Sequence, residues 1–153
     1  MMNSPVVAPE KIKTDDTRTR VLFVCTGNTC RSPMAAAVLN SLAPDRFIAS
    51  SAGLSCSDGK PISENAALAL SEAGITPQPH ASRQITRGIV EQNDIIIGLT
   101  GSHFMVLLGA FPDLAGKIES MPRDVGDPWG GSLAEYKASL DAITECIKER
   151  FGL

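Results

Sequence analysis

Short apolar runs alternate along this chain with longer stretches in which apolar residues recur every three or four positions. Residues 21–24, Val-Leu-Phe-Val, form a continuous apolar run closed by a Gly/Asn loop, the pattern of a buried strand. Beyond the loop, Ser32-Pro33 opens a helix on which Met34, Val38 and Leu42 recur, until Ala43-Pro44 stops it. Residues 47–52 predict a second strand ended by Gly53. Pro61 and Ser63 then introduce a helix with Ala66, Leu70 and Ala73 on one face and Gly74 as its stop. Residues 76–80 read as a proline-rich connector and residues 86–92 as a short helix. Residues 94–99 are apolar without alternation, as in a strand covered on both faces, and Ser102 is placed to cap a helix carrying Phe104, Leu107, Leu108 and Phe111. Residues 117–121 predict a weaker fourth strand. Ser132 and Glu135 form a capping box for a last helix with Tyr136, Leu140, Ile143, Ile147 and Phe151 on one stripe.

Strands alternating with helices imply one α/β domain, an open sandwich with a four-stranded parallel sheet flanked by helices on both faces. Ligands in such folds sit beyond the carboxyl ends of the strands. The Gly/Asn loop after the first strand lies at that place.

Composition narrows the picture. With 153 residues, 43% of them hydrophobic, the chain can bury one sizeable core, which suits a single domain over residues 20–153. Residues 1–19 mix Pro, Lys, Asp, Thr and Arg without an apolar stretch, so they predict a flexible extension rather than a secretory signal. A net charge of −3 offers no general attraction for nucleic acid or anionic membrane, so any anion site must be local. Four cysteines, Cys25, Cys30, Cys56 and Cys146, are too few for a disulfide scaffold and point to a reducing cytoplasm. A monomer without cofactor is expected.

The chemistry concentrates in Cys25-Thr-Gly-Asn-Thr-Cys-Arg31-Ser32. Gly27 and Asn28 tolerate the backbone angles that turn successive N–H groups into one concavity, and the following helix start adds unpaired N–H groups there. Thr26, Gly27, Asn28, Thr29, Cys30 and Ser32 are therefore the candidate phosphate-binding residues, and Arg31 can grip two oxygens at once. A cysteine beside an arginine and a helix N-terminus is in surroundings that favour a thiolate, which makes Cys25 the candidate nucleophile. Ser32 has two readings, a helix cap or a hydroxyl bonded to the Cys25 sulfur. A zinc pair formed by Cys25 and Cys30 is disfavoured, since only His80 and His103 are available and no second cysteine pair has ligand spacing. His103 falls in the first turn of its helix, at the mouth of the site or facing solvent. Asp94 reads as a strand boundary, and Cys56 and Cys146 as structural or incidental.

Val-Cys25-Thr-Gly-Asn-Thr-Cys-Arg31-Ser-Pro-Met-Ala resembles the low-molecular-weight protein-tyrosine-phosphatase family, over about residues 20–151. Ser51-Ala-Gly53 and His80 in Pro-His-Ala-Ser-Arg match it too, as does Asp127-Pro-Trp-Gly-Gly131 followed by Tyr136. The resemblance implies a metal-independent protein phosphatase with a phosphocysteine intermediate. Asp127 would then be the general acid and base, and Ser51 and His80 would support the loop from behind. It also implies that Cys30 can close a disulfide with an oxidised Cys25. Tyrosine-type members commonly have a bulky aliphatic residue before the second loop cysteine, whereas this chain has Thr29, as members resembling bacterial protein-arginine phosphatases do. After the third strand Thr100-Gly-Ser-His103 replaces the Met-Asp-x-x-Asn type of motif. Thr29 is the expected substrate-selecting residue, with Trp129 a wall suited to either substrate, and phosphoarginine is favoured over phosphotyrosine. An arsenate reductase would need redox cysteines that residues 94–111 lack, and a non-catalytic phosphate-binding or redox-sensing module would bind an oxyanion without turnover.

Overall fold

The computed structural model describes residues 16–153. Most of the extension expected over residues 1–19 lies outside the described residues, and Thr19 already opens the first strand. The elements run β1 (Thr19–Cys25), α1 (Arg31–Leu42), β2 (Phe47–Gly53), α2 (Glu64–Glu72), α3 (Arg87–Glu91) and β3 (Ile95–Gly98). They continue with α4 (Gly101–Ala110), a 3-10 turn (Pro112–Lys117), β4 (Ile118–Ser120) and α5 (Leu133–Phe151). All strands pair in parallel in the order β2-β1-β3-β4.

Alternation along β1 divides the core in two. Val21 and Phe23 join Ile97, Leu99 and the apolar faces of α1, α2 and α5, with Leu39, Leu70, Ile143 and Ile147. Leu22 and Val24 point the other way, to Ile96, Ile118, Val90 of α3 and Leu107 of α4. Strands covered on both sides have little use for polar residues, which is why residues 21–24 and 95–97 read as unbroken apolar runs. The chain moves from β1 outward to β2, then returns past β1 to β3. The reversal falls at β1, so the loop after it opens at the topological switch point.

Three expectations are corrected. Thr100, not Ser102, caps α4, its Oγ1 accepting from the His103 N–H at 3.2 Å. Leu42 is exposed, because two four-residue steps from Met34 overshoot two helical turns by about 80°, and Leu39 takes the core position. Ala73 is the C-cap of α2 and exposed, its place on the buried face going to Ala69. No helix among the described residues is long and apolar enough to cross a membrane.

Candidate active site

Cys25 is the last residue of β1, paired across from Gly53 at the end of β2. The ladder runs on into the loop, with Leu54 N–H donating to Cys25 O at 2.9 Å and Ser55 N–H to Thr26 O at 3.1 Å. A methyl group at Gly53 would stand 2.7 Å from Thr26 O and 2.9 Å from Cys56 Sγ, so this close approach requires glycine.

The loop is then braced through Asn28, which is fully buried and left-handed at φ 58°. Its amide donates to Ser32 Oγ and Ser51 Oγ, each at 2.9 Å, and its Oδ1 accepts from Arg83 N–H at 2.9 Å. Its carbonyl accepts from His80 Nε2 at 2.7 Å. Every polar group of a buried amide is thereby used, which holds an otherwise unfavourable backbone angle. Ser51 and His80 thus both contact the loop through Asn28. Arg83 is a partner the sequence reading did not name; only its place three residues after His80 hinted at it.

Ser32 is not a cap. α1 begins at Arg31 with Cys30 in the cap position and no side-chain cap, so the N–H groups of its first turn remain available. The Ser32 hydroxyl lies 2.9 Å from Cys25 Sγ, oriented to hydrogen-bond the sulfur. Both loop thiols are free, and Cys30 Sγ is within 3.4 Å of Ser63 Oγ and of Tyr136 OH, at the junction of α2 and α5. Burial pushes the Tyr136 phenol up, with the Cys30 contact adding to it.

Arg31 is buried. One of its nitrogens donates to Val125 O at 3.0 Å, and another stands 3.5 Å from Asp127 Oδ2. Asp127 comes from the loop between β4 and α5, and Trp129 N–H donates to its Oδ1 at 3.0 Å. That loop is tied down on the other side by Val125 N–H to Leu99 O and by Gly101 N–H to Asp124 Oδ1. Residues about a hundred positions apart therefore share one cavity of about 230 Å³, lined by Cys25 through Arg31, Asp127 and Trp129. Trp129 is 75% exposed and forms its rim.

His103 is neither at the mouth nor in solvent. It is buried, with Nε2 3.0 Å from Thr26 Oγ1 and Nδ1 2.9 Å from Thr100 Oγ1. Burial, then the Arg31 guanidinium, holds its pKa below the ordinary 6.5, against the opposing pull of Asp127 and Asp124. The sequence signal was the change of motif after the third strand. Asp94 marks the start of β3, accepting from Arg20 N–H on β1 at 2.8 Å. Burial, Asp58 and Cys25 push the Cys56 thiol up. Among the described residues, no group of three or more His, Cys, Asp or Glu gathers as a metal site.

A parallel α/β sandwich with a buried cysteine in a loop that leads into an uncapped helix N-terminus, and a carboxylate beside a buried arginine, is the build of a cysteine-dependent phosphate-ester enzyme. Comparison with known proteins agrees. Residues 20–151 match the family model for low molecular weight phosphotyrosine protein phosphatase. A protein-arginine-phosphatase of Geobacillus stearothermophilus is 33% identical over 135 residues, covering 84% of this chain and 90% of the relative. A low molecular weight protein-tyrosine-phosphatase of Staphylococcus haemolyticus is 32% identical, covering 84% and 94%. The crystal structure of a low molecular weight protein tyrosine phosphatase from T. tengcongensis superposes with a TM-score of 0.82 at 33% identity, covering 88% of this chain and 98% of that one. The chain belongs to the low molecular weight phosphotyrosine protein phosphatase family.

Proposed function

We propose that this protein removes phosphate from arginine side chains of proteins through a phosphocysteine. Arginine- and tyrosine-directed relatives match it almost equally well, so overall similarity does not choose between them. The observation that carries the choice is Thr29, which lines the cavity with Cys25 where tyrosine-type members have a bulky aliphatic residue. A hydroxyl there can meet a polar guanidine, while an aliphatic wall suits a phenol ring.

In the mechanism, Cys25 Sγ attacks phosphorus as the P–N bond breaks. The N–H groups of residues 26–31 and the Arg31 guanidinium receive the equatorial oxygens. An incoming phosphoryl group takes over Arg31 and releases Asp127, whose carboxyl proton passes to the departing nitrogen. The carboxylate left behind pairs with the new guanidinium, then takes a proton from the water that attacks the S–P bond. Sulfur leaves as thiolate, stabilised by the Ser32 hydroxyl, and inorganic phosphate is released. We place this reaction in the cytoplasm, with a monomer acting on phosphorylated proteins and not on nucleic acid or membrane. Four unpaired cysteines and the net charge of −3 support that setting.

The deciding experiment is Thr29→Ile. Exchanging a polar contact for apolar surface is worth about 10- to 200-fold in discrimination for each substrate. The ratio of kcat/KM on matched phosphoarginine and phosphotyrosine substrates should therefore move toward phosphotyrosine by at least tenfold. A wild type that already prefers phosphotyrosine, or a ratio that does not move, would replace this reading with a tyrosine phosphatase of the same mechanism.

A further inference from the structure

The hydrogen-bonded chain Thr100–His103–Thr26 ends on the phosphate loop, and its first two members have no role assigned so far. Its geometry is built in. Gly98 ends β3, and a methyl group there would stand 2.8 Å from Phe104 N and 3.0 Å from His103 Cβ, so glycine is what lets the first turn of α4 press onto the sheet. That approach delivers the imidazole, buried, to within 3.0 Å of the hydroxyl of the residue next to Cys25.

Which ring nitrogen carries the proton decides what Thr26 can do. Thr100 Oγ1 already accepts from the His103 backbone N–H at 3.2 Å. Were Nδ1 protonated as well, both lone pairs of that oxygen would serve N–H groups of one residue and the Thr100 hydroxyl proton would have no acceptor on the ring. With Nδ1 bare, the Thr100 hydroxyl donates to it across 2.9 Å, and the ring proton resides on Nε2. Nε2–H then donates to Thr26 Oγ1, which leaves the Thr26 hydroxyl proton without a claim from the ring. In the opposite tautomer Thr26 would spend its proton on Nε2 and turn only lone pairs toward the cavity it lines, repelling an anion.

We propose that His103 is a positioning residue, held as its Nε2–H tautomer by Thr100, that keeps the Thr26 hydroxyl as a donor to the phosphoryl group above Cys25. The proposal rests on the phosphatase reading, since that reading puts an anion in the bowl. The charged groups facing the ring are Arg31 from α1 and Asp124 and Asp127 from the loop after β4. With burial acting first and Arg31 next, the ring stays neutral at neutral pH, as this arrangement needs.

The test has a spectroscopic and a kinetic arm. Ring-nitrogen NMR of the wild-type protein at pH 7 should show His103 protonated at Nε2 and bare at Nδ1. A proton on Nδ1, or on both nitrogens, overturns the proposal. In kinetics with 4-nitrophenyl phosphate, Thr26→Val and His103→Leu should each lose about 10- to 100-fold in kcat/KM, the usual worth of a hydrogen bond to a charged group. Both should weaken inhibition by inorganic phosphate to a similar degree. His103→Gln, whose amide can donate to Oγ1, should recover most of the loss, and Thr26→Ser should stay near wild type. The double variant Thr26→Val with His103→Leu should lose no more than either alone. Additive losses, or a His103→Gln as poor as His103→Leu, overturn the proposal while leaving the phosphatase reading intact. If His103→Leu does not fold, the NMR spectrum and the Thr26 pair decide, and equal activity of the two Thr26 variants overturns it. A wild type that neither hydrolyses the ester nor binds phosphate overturns the phosphatase reading, and this inference with it.

Discussion

At the scale of single residues, the division of labour between Cys25 and Asp127 leads to two distinguishable outcomes. Cys25→Ser keeps shape and the hydroxyl of Ser32 at hand, so the variant should fold and bind phosphate. It should lose essentially all turnover, because serine there cannot supply a comparable anionic nucleophile. Substantial metal-independent hydrolysis by that variant would end the phosphocysteine mechanism. Asp127→Asn keeps the shape of the side chain while removing the transferable proton and the charge that faces Arg31. Its rate loss should be about 10²–10⁴-fold on a leaving group that needs protonation, and much smaller on nitrophenol. A plot of rate against leaving-group basicity reads this directly, and parallel lines for wild type and variant would remove Asp127 from the role of acid. The amide does keep an acceptor for the Trp129 N–H, 3.0 Å away in the native loop, so the loop's shape is not in question.

At the scale of elements, the site depends on strand ends meeting without side chains between them. Gly53, at the end of β2, has Thr26 O, Cys56 Sγ and Asn28 Cβ crowded around the position a methyl group would take, at 2.7, 2.9 and 3.1 Å. Two of these neighbours belong to the phosphate loop, and the nearest is a backbone oxygen that cannot rotate away. Gly53→Ala should therefore cost about 1–3 kcal/mol in stability, as overpacking does. Activity should fall as well, because relief must come from moving residues 26–28. Urea unfolding with parallel kcat/KM measurements tests both. Native stability with native activity would show that the loop yields without consequence. Helix α5 plays the complementary part. Its capping box, Ser132 with Glu135, fixes where the helix starts, and one residue later Tyr136 meets Cys30 from beneath the loop.

At the scale of the whole molecule, burying a histidine between α4 and the phosphate loop makes stability depend on pH. The folded-state pKa of His103 lies below 6.5, so between 6.5 and that lower value the unfolded chain binds more protons than the folded one. Stability from this group is thus complete above pH 6.5 and is lost as pH falls below it. The slope is at most about 1.4 kcal/mol per pH unit, until the folded ring itself takes the proton. Urea midpoints at several pH values from 7.5 downward should show this slope in the wild type and a flatter line in His103→Gln. Identical slopes would mean that the ring titrates normally in the fold.

The sequence alone determined the order and type of the main elements, because each is written in local chemistry. Buried parallel strands leave unbroken apolar runs such as residues 21–24, and helices leave a 3.6-residue stripe and caps such as Ser132 with Glu135. It also singled out Cys25 and Arg31, since a thiol and a guanidinium flanking a Gly/Asn loop at a helix start have few other uses, whereas Asp127 stood out only through the family resemblance. What it left open was decided by contacts between distant segments. Ser32 had two readings until Asn28 and Cys25 claimed its hydroxyl, at 2.9 Å each. Ser102 was the expected cap of α4, but the helix already begins at Gly101, so the cap is Thr100 and Ser102 lies inside the first turn. His103 had two readings, at the mouth of the site or facing solvent, and the fold gives it neither place. Only the close approach permitted by Gly98 buries its ring against Thr26, 77 positions earlier. Local propensity is encoded residue by residue, but a hydrogen-bond partner brought in by another strand exists only once the sheet has formed.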